Sequence, residues 1–234
     1  MHPDVCRLLK GVFEQRPALP KYSDVWDPDQ VLQHLAESVA TDLGDVSIKD
    51  LTKRTATLLA LLTGQRGQAL HALKVSDIRI APDSSKCRII FTDIHKTSKP
   101  GNHTAPADVL AFSDSKLCLV NHLKLYIERT KDRRKSDGSL FLACAKPYTA
   151  VSRGTFSRWV KAVLAEAGID TCRYSSHSTR AAACSAVAER ASLPTVLKAA
   201  GWKSDSVFGK FYKRALTAAD QNFGQVLLDR YLEK

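Results

Sequence analysis

The 234-residue sequence contains no apolar run that approaches the ~20 residues needed to span a membrane as a helix. Its opening residues, MHPDVCRLLKGVF, lack the basic-then-apolar organisation of a secretion signal, so an intracellular chain is expected. The six cysteines, Cys6, Cys87, Cys118, Cys144, Cys172 and Cys184, form no CxxC pair and stand at no ligand spacing from a histidine. That excludes the usual zinc patterns and predicts buried free thiols. Internal repeats and low-complexity tracts are also missing, and 44% hydrophobic with 25% charged residues describes a chain that can bury a core. Acidic residues are the scarce charge: 24 Asp and Glu against 35 Lys and Arg leave a formal net charge of +11. A polyanionic partner is implied, nucleic acid first. The one short basic cluster, KDRRK at 131–135, suits a solvated loop or a nuclear address.

Hydrophobic spacing divides the chain into helices and one hairpin. Residues 1–26 read as an arm or linker, because the prolines of RPALPKYSD oppose a regular helix. Asp27-Pro28 followed by Gln30 predicts a helix start with capping chemistry, and Val31, Leu32, Leu35 and Val39 supply its apolar face. A second helix is expected over 51–62, closed at Gly64. The β-branched stretch KCRIIFTDI at 86–94 and the segment 104–112 predict a hairpin around Pro100-Gly101-Asn102, with a short first strand near 77–80. Helices follow over 117–130, with Leu119, Leu123, Tyr126 and Ile127 inside, and around Phe156, Trp159, Val160, Val163 and Leu164, ending at Gly168. Trp159 belongs to that core stripe. The alanine-rich run after 178 permits close helix packing, Pro194 starts a small helix, and 217–234 predicts a terminal helix that packs at home or on a neighbouring protomer.

The chemistry concentrates between Tyr174 and Arg214. His177 and Arg180 are three residues apart at the start of the alanine-rich helix, which puts an imidazole and a guanidinium on one face near a helix N-terminus, where an anion is favoured. Trp202 follows Gly201, and Tyr212 lies ten residues beyond the tryptophan. Upstream, Arg66 is the only strong cation of TGQRGQALHAL. These are the groups that phosphodiester chemistry without a metal requires. Guanidiniums match the charge developing on phosphate oxygens, and a phenol with a pKa near ~10 needs a proton acceptor to attack.

HSTR, then AGW, then KFY resembles the C-terminal half of the tyrosine recombinases, the phage-integrase superfamily. The wording KAAGWKSDSVFGKFYKR resembles most closely the recombinases of eukaryotic mobile elements, of the Ngaro and DIRS retroelement and crypton types. TG-x-R after an apolar helix resembles the family's first box, although Ala69 stands where members often carry an acid. The resemblance implies a mainly helical α+β catalytic domain with a small antiparallel sheet over residues 27–216, preceded by the arm at 1–26 and followed by the helix at 217–234. It further implies that Arg66 and Arg180 clamp the phosphate, that Trp202 packs the site and that His177 is a proton acceptor or hydrogen-bond partner. The family places its catalytic lysine in the hairpin, which implies Lys96, with Lys99 in reserve, as the group that protonates the leaving 5′ oxygen. By the same resemblance Tyr212 would be the nucleophile, the tyrosine that ends a pattern like F-x-K-F-Y; many bacterial members place theirs one residue earlier, where Phe211 stands.

The implied product is a 3′-phosphotyrosine, rejoined without metal, ATP or any small-molecule cofactor. The implied partners are double-stranded DNA, contacted by Arg66, Lys96, Lys99, Arg180 and Lys203, and further copies of the chain in a dimer or tetramer. No membrane role follows, and a eukaryotic element would place the protein in the nucleus. Members usually carry an N-terminal helical domain that completes a clamp on DNA, and the residues before 27 are too few to hold one, so a fragment or truncated protein is expected. A type IB topoisomerase, an inactive domesticated DNA binder and a protein-interaction module are the competing classes.

Overall fold

Ser47 caps the helix around which the rest is built, α3 (Ile48–Thr63), by accepting from the Asp50 backbone N–H at 3.1 Å while its hydroxyl donates to the Asp50 carboxylate at 2.7 Å. In the computed structural model, which describes residues 2–16, 24–39, 42–92, 105–134, 138–200 and 223–232, α3 is buried on nearly every side. A helix buried all round must satisfy its polar side chains internally. Thr52, Thr55, Thr57 and Thr63 do so by donating to the carbonyl four residues back, at 2.6–2.9 Å. The helix ends at Gly64, whose φ of +59° is the left-handed conformation expected of a C-cap.

Against this axis pack the short α4 (Gly67–His71), α5 (Leu119–Thr130), α6 (Arg153–Glu166), α7 (Ser178–Ala188) and α9 (Phe223–Leu232), with α2 (Pro28–Glu37) on α6, α7 and α9, and α8 (Leu193–Ala200) on α7 and α9. Asp27 caps α2 through the Asp29 N–H at 3.1 Å, and Val31, Leu32, Leu35 and Val39 are buried as their spacing requires. The capping role expected of Gln30 is not taken up. Its amide instead donates to the Ala167 carbonyl at 2.8 Å, joining α2 to the end of α6 beside Gly168, whose φ is +80°. Arg54 is 4% exposed and reaches from α3 to the carbonyls of Leu35 and Lys116 and the hydroxyl of Ser38. Burial pushes its guanidinium down to about 10.

Strands β1 (Ile78–Ile80), β2 (Lys86–Ile89) and β3 (Ala107–Leu110) form one antiparallel sheet in the order β1-β2-β3, shorter than the sequence spans but in the expected places. Cys87 lies opposite Ile80 and Val109, and Cys87 and Val109 are buried; Arg79, Arg88 and Asp108 share the exposed face. Phe141 links α5 to α6, with ring centroids 5.7 Å from Tyr126, 5.3 Å from Phe156 and 6.4 Å from Trp159. Trp159 is therefore a core residue. The terminal helix α9 buries Phe223, Val226, Leu227 and Leu228 against its own chain, on α3, α7, α2 and β3.

One local expectation changes, and the N-terminal arm has structure of its own. The segment 1–26 contains a helix, α1 (Pro3–Gln15), because Pro3 stands at its first turn, where a missing N–H costs nothing, and the later prolines lie beyond its end. No residue of α1 is buried, and Val5, Leu8, Leu9, Val12 and Phe13 are all exposed. The cysteines are free but not uniformly buried: Cys87, Cys118 and Cys184 are, whereas Cys6 and Cys172 are exposed and Cys144 is half-buried. Burial pushes the thiols of Cys87 and Cys184 up to about 12, so both stay protonated and act as small apolar side chains. Among the described residues no helix is long and apolar enough to cross a membrane, and no three His, Cys, Asp or Glu side chains gather as a metal site.

Candidate active site

Gly64 joins the two halves of the site. Its left-handed φ turns the chain from α3 into Gln65 and Arg66, and a Cβ there would stand 2.9 Å from Phe223 Cζ of α9 and 3.4 Å from the Cys184 sulfur of α7. Only glycine fits both the backbone and the space. The Gly64 carbonyl accepts from Arg180 Nη1 at 3.2 Å, so the first-turn arginine of α7 is fixed to the end of α3 across 116 residues of sequence. Arg66 follows at the N-cap of α4 and is exposed, and among the described residues its guanidinium makes no hydrogen bond or ion pair. Ala69, which replaces the family's acid, is 5% exposed inside α4. Here Arg66 is left to whatever enters the cleft.

Arg66, His177 and Arg180 line one cleft of about 280 Å³. His177 sits at the N-cap of α7, exposed, and its Nε2 is 3.1 Å from Nη2 of Arg153, the first residue of α6. A guanidinium only donates, so Nε2 accepts in this contact and the ring proton belongs on Nδ1. Arg153 lines the same cleft and was not legible in the sequence, where SRGTF reads as an ordinary helix start; the third guanidinium emerges only when α6 meets α7. Among the described residues no Asp or Glu lines this cleft. Three guanidiniums and an imidazole facing one cleft form a site for an anion with several oxygens.

The remaining residues singled out in the sequence, Lys96, Lys99, Trp202, Lys203 and Tyr212, lie outside the described residues. The strands that flank Lys96 and Lys99, β2 and β3, pair as a hairpin requires. Of the described tyrosines, none lines the cleft. Tyr126 is buried and accepts from the Leu142 N–H, Tyr174 donates to Asp24 at 2.7 Å, Tyr148 packs beneath Arg133, and Tyr231 lies on α9. Burial pushes the phenols of Tyr126 and Tyr231 above their ordinary value, and donation to Asp24 does the same to Tyr174.

This fold is that of a tyrosine recombinase catalytic domain. A profile described as the phage integrase family matches residues 27–218, most of the chain, and the chain belongs to that family. Comparison with curated proteins gives no match in sequence. Among solved structures, the XerH site-specific recombinase bound to difH substrate in a pre-cleavage complex is similar, with a TM-score of 0.58, 15% identity, 82% of this chain covered and 50% of that one. The chain thus spans half the length of that relative. XerA recombinase is similar with a TM-score of 0.55 and 17% identity over 97% of this chain and 73% of that one. A lambda integrase (75–356) dimer bound to a COC′ core site is similar with a TM-score of 0.50 and 20% identity over 87% and 70%.

Proposed function

We propose that the protein is a site-specific DNA recombinase that cleaves and rejoins strands through a 3′-phosphotyrosine, with Tyr212 as nucleophile. The observation that carries this reading is the convergence of Arg66, Arg153, Arg180 and His177 on one cleft that no described acid lines. Arg66 and Arg180 would hold the non-bridging oxygens of the scissile phosphate, whose charge grows as the Tyr212 oxygen bonds to phosphorus. The phenol proton passes to Nε2 of His177, the lone pair that Arg153 occupies in the free protein; Arg153 turns to a phosphate when DNA enters. The bond from phosphorus to the 5′ oxygen breaks, and Lys96, with Lys99 the reserve, supplies the proton that this oxygen needs. Trp202 packs against the phosphate, and Lys203 adds a backbone contact. One ester replaces another, so the step balances without an external energy source, metal or cofactor.

Double-stranded DNA and further copies of the chain are the proposed partners, supported by the net charge of +11 and by relatives whose structures hold a difH substrate or a dimer on a core site. The wording KAAGWKSDSVFGKFYKR supports a mobile element of eukaryotes as the source, with integration or excision as the task and the nucleus as the place. The test is covalent trapping on a pool of nicked duplexes with a randomised core, in EDTA and without ATP, followed by sequencing of the captured strands. A protein–DNA adduct enriched for one sequence is expected. Salt-sensitive binding without an adduct would replace this reading with an inactive DNA-binding descendant, and relaxation of supercoils with no sequence preference would replace it with a topoisomerase.

A further inference from the structure

We infer that Trp26 is a positioning residue for the active site: its indole N–H, by holding Ser178, sets the turn that presents His177 and Arg180 to the cleft. The inference rests on the recombinase reading above. Trp26 is 6% exposed, and its Nε1–H donates to Ser178 Oγ at 2.8 Å across 152 residues of sequence. Ser178, 1% exposed, donates its own hydroxyl to the Ser175 carbonyl at 2.7 Å. The relay therefore runs from Trp26 through Ser178 to the turn at 175–178, and His177 lies inside that turn.

A second tie holds the other end of the same turn. Asp24 accepts from Tyr174 Oη at 2.7 Å and from Arg173 Nη2 at 2.6 Å. Residues 24–26 thus staple 173–178 on both sides, and only Ser175, Ser176 and His177 lie between the staples. Arg66, by contrast, is placed from α3 and α4. The distance between the first arginine and the His177–Arg180 pair is then set in part by where this strap sits. A buried indole whose one polar atom has a single aimed partner fixes an orientation more tightly than apolar contact alone.

The strap also continues beyond the turn. Arg230 of α9 reaches Asp27 and Asp29 at 2.9 Å each. The six residues from Asp24 to Asp29 therefore touch the turn before α7 and the helix that closes the chain.

The test compares the wild-type chain with Trp26→Phe, which keeps an aromatic ring and loses the donor, with Ser178→Ala, which loses the acceptor, and with the double variant. Single-turnover covalent capture is measured at saturating DNA, using a nicked duplex selected from the randomised pool, beside the Kd for the same duplex. We expect each single variant to capture about tenfold more slowly with Kd unchanged, the loss of one aimed hydrogen bond felt in the transition state. The double variant should be no slower than either single one. In a ¹H–¹⁵N spectrum, where the chain's three tryptophans give three indole signals, the Trp26 signal should move in Ser178→Ala. Capture by Ser178→Ala at the wild-type rate, or an unmoved Trp26 signal in that variant, would overturn the inference. If Trp26→Phe melts well below the wild type, the comparison rests on Ser178→Ala alone. A wild-type chain that forms no adduct would overturn the recombinase reading itself, and this role with it, and is seen in a separate lane.

Discussion

At the residue scale, the cleft assigns different work to arginines that look alike in the sequence. Arg66 and Arg180 meet the scissile phosphate in the proposed mechanism, so Arg66→Ala or Arg180→Ala should slow covalent capture by about 10²–10³, the loss seen when one donor to a developing oxyanion is removed. Arg153 binds a histidine lone pair in the free protein and, in the proposed mechanism, would turn to a backbone phosphate in the complex. Arg153→Ala should therefore lower the slope of log K against log salt by about one and weaken binding to all sequences alike; an unchanged slope would contradict that role. Gly64 admits no side chain, since its φ is +59° and a Cβ would meet Phe223 at 2.9 Å. Gly64→Ala should destabilise the fold by about 1–3 kcal/mol, through backbone strain and overpacking, and should slow capture as well, because the same residue's carbonyl holds Arg180. A melting curve and a capture assay on one preparation check both halves; a variant that melts and cuts like wild type would refute the account of this corner.

At the element scale, Arg54 is the clearest structural cation. It ties α3 to α2 and to the loop before α5 through two carbonyls and a hydroxyl, away from the cleft. Arg54→Ala leaves those buried acceptors without donors and should cost about 2–4 kcal/mol in urea denaturation, while a loss below about 0.5 kcal/mol would show that water replaces it. Much of this architecture was legible beforehand. The apolar spacing of α2, α3, α5 and α6 and the glycines at 64 and 168 mark their elements correctly, because periodicity and left-handed caps are local properties. What could not be read locally was long-range. Arg54 sits in a run, LTKRTATLL, where lysine and arginine look equally solvated, and Gln30 has the spacing of a capping residue but is drawn to Ala167 by packing. The helix α1 was obscured because the prolines of RPALPKYSD, which lie beyond its end, coloured the reading of the whole segment, although Pro3 occupies the one helical position that suits it. In the site, Arg66, His177 and Arg180 stood out through family-like wording, whereas Arg153 and Trp26 matter only through contacts 24 and 152 residues away.

At the scale of the whole molecule, acid stability reports on a group remote from the proposed chemistry. His122 is fully buried, its Nδ1 donates to the Cys118 carbonyl at 2.9 Å, and burial, helped by nearby Arg54, pushes its imidazole down from 6.5 to about 4. Because the folded value is the lower one, the unfolded chain binds the extra proton first. Stability contributed by the neutral ring is complete above about 6.5, falls as the pH drops towards about 4, and amounts to about 3 kcal/mol in total. His122→Leu should flatten that fall in urea titrations between about pH 7 and pH 4.5, and parallel curves for the two proteins would contradict it. The central claim, however, is that this basic fold is a machine for breaking and remaking a phosphodiester with its own tyrosine. The most direct measurement is covalent trapping on nicked duplex DNA in EDTA with the wild-type chain, Tyr212→Phe and Tyr231→Phe. The account predicts an adduct with the wild type and Tyr231→Phe, and none with Tyr212→Phe, whose DNA binding stays intact because a single phenol oxygen has been removed. An adduct that persists in Tyr212→Phe, or that disappears only in Tyr231→Phe, would contradict it.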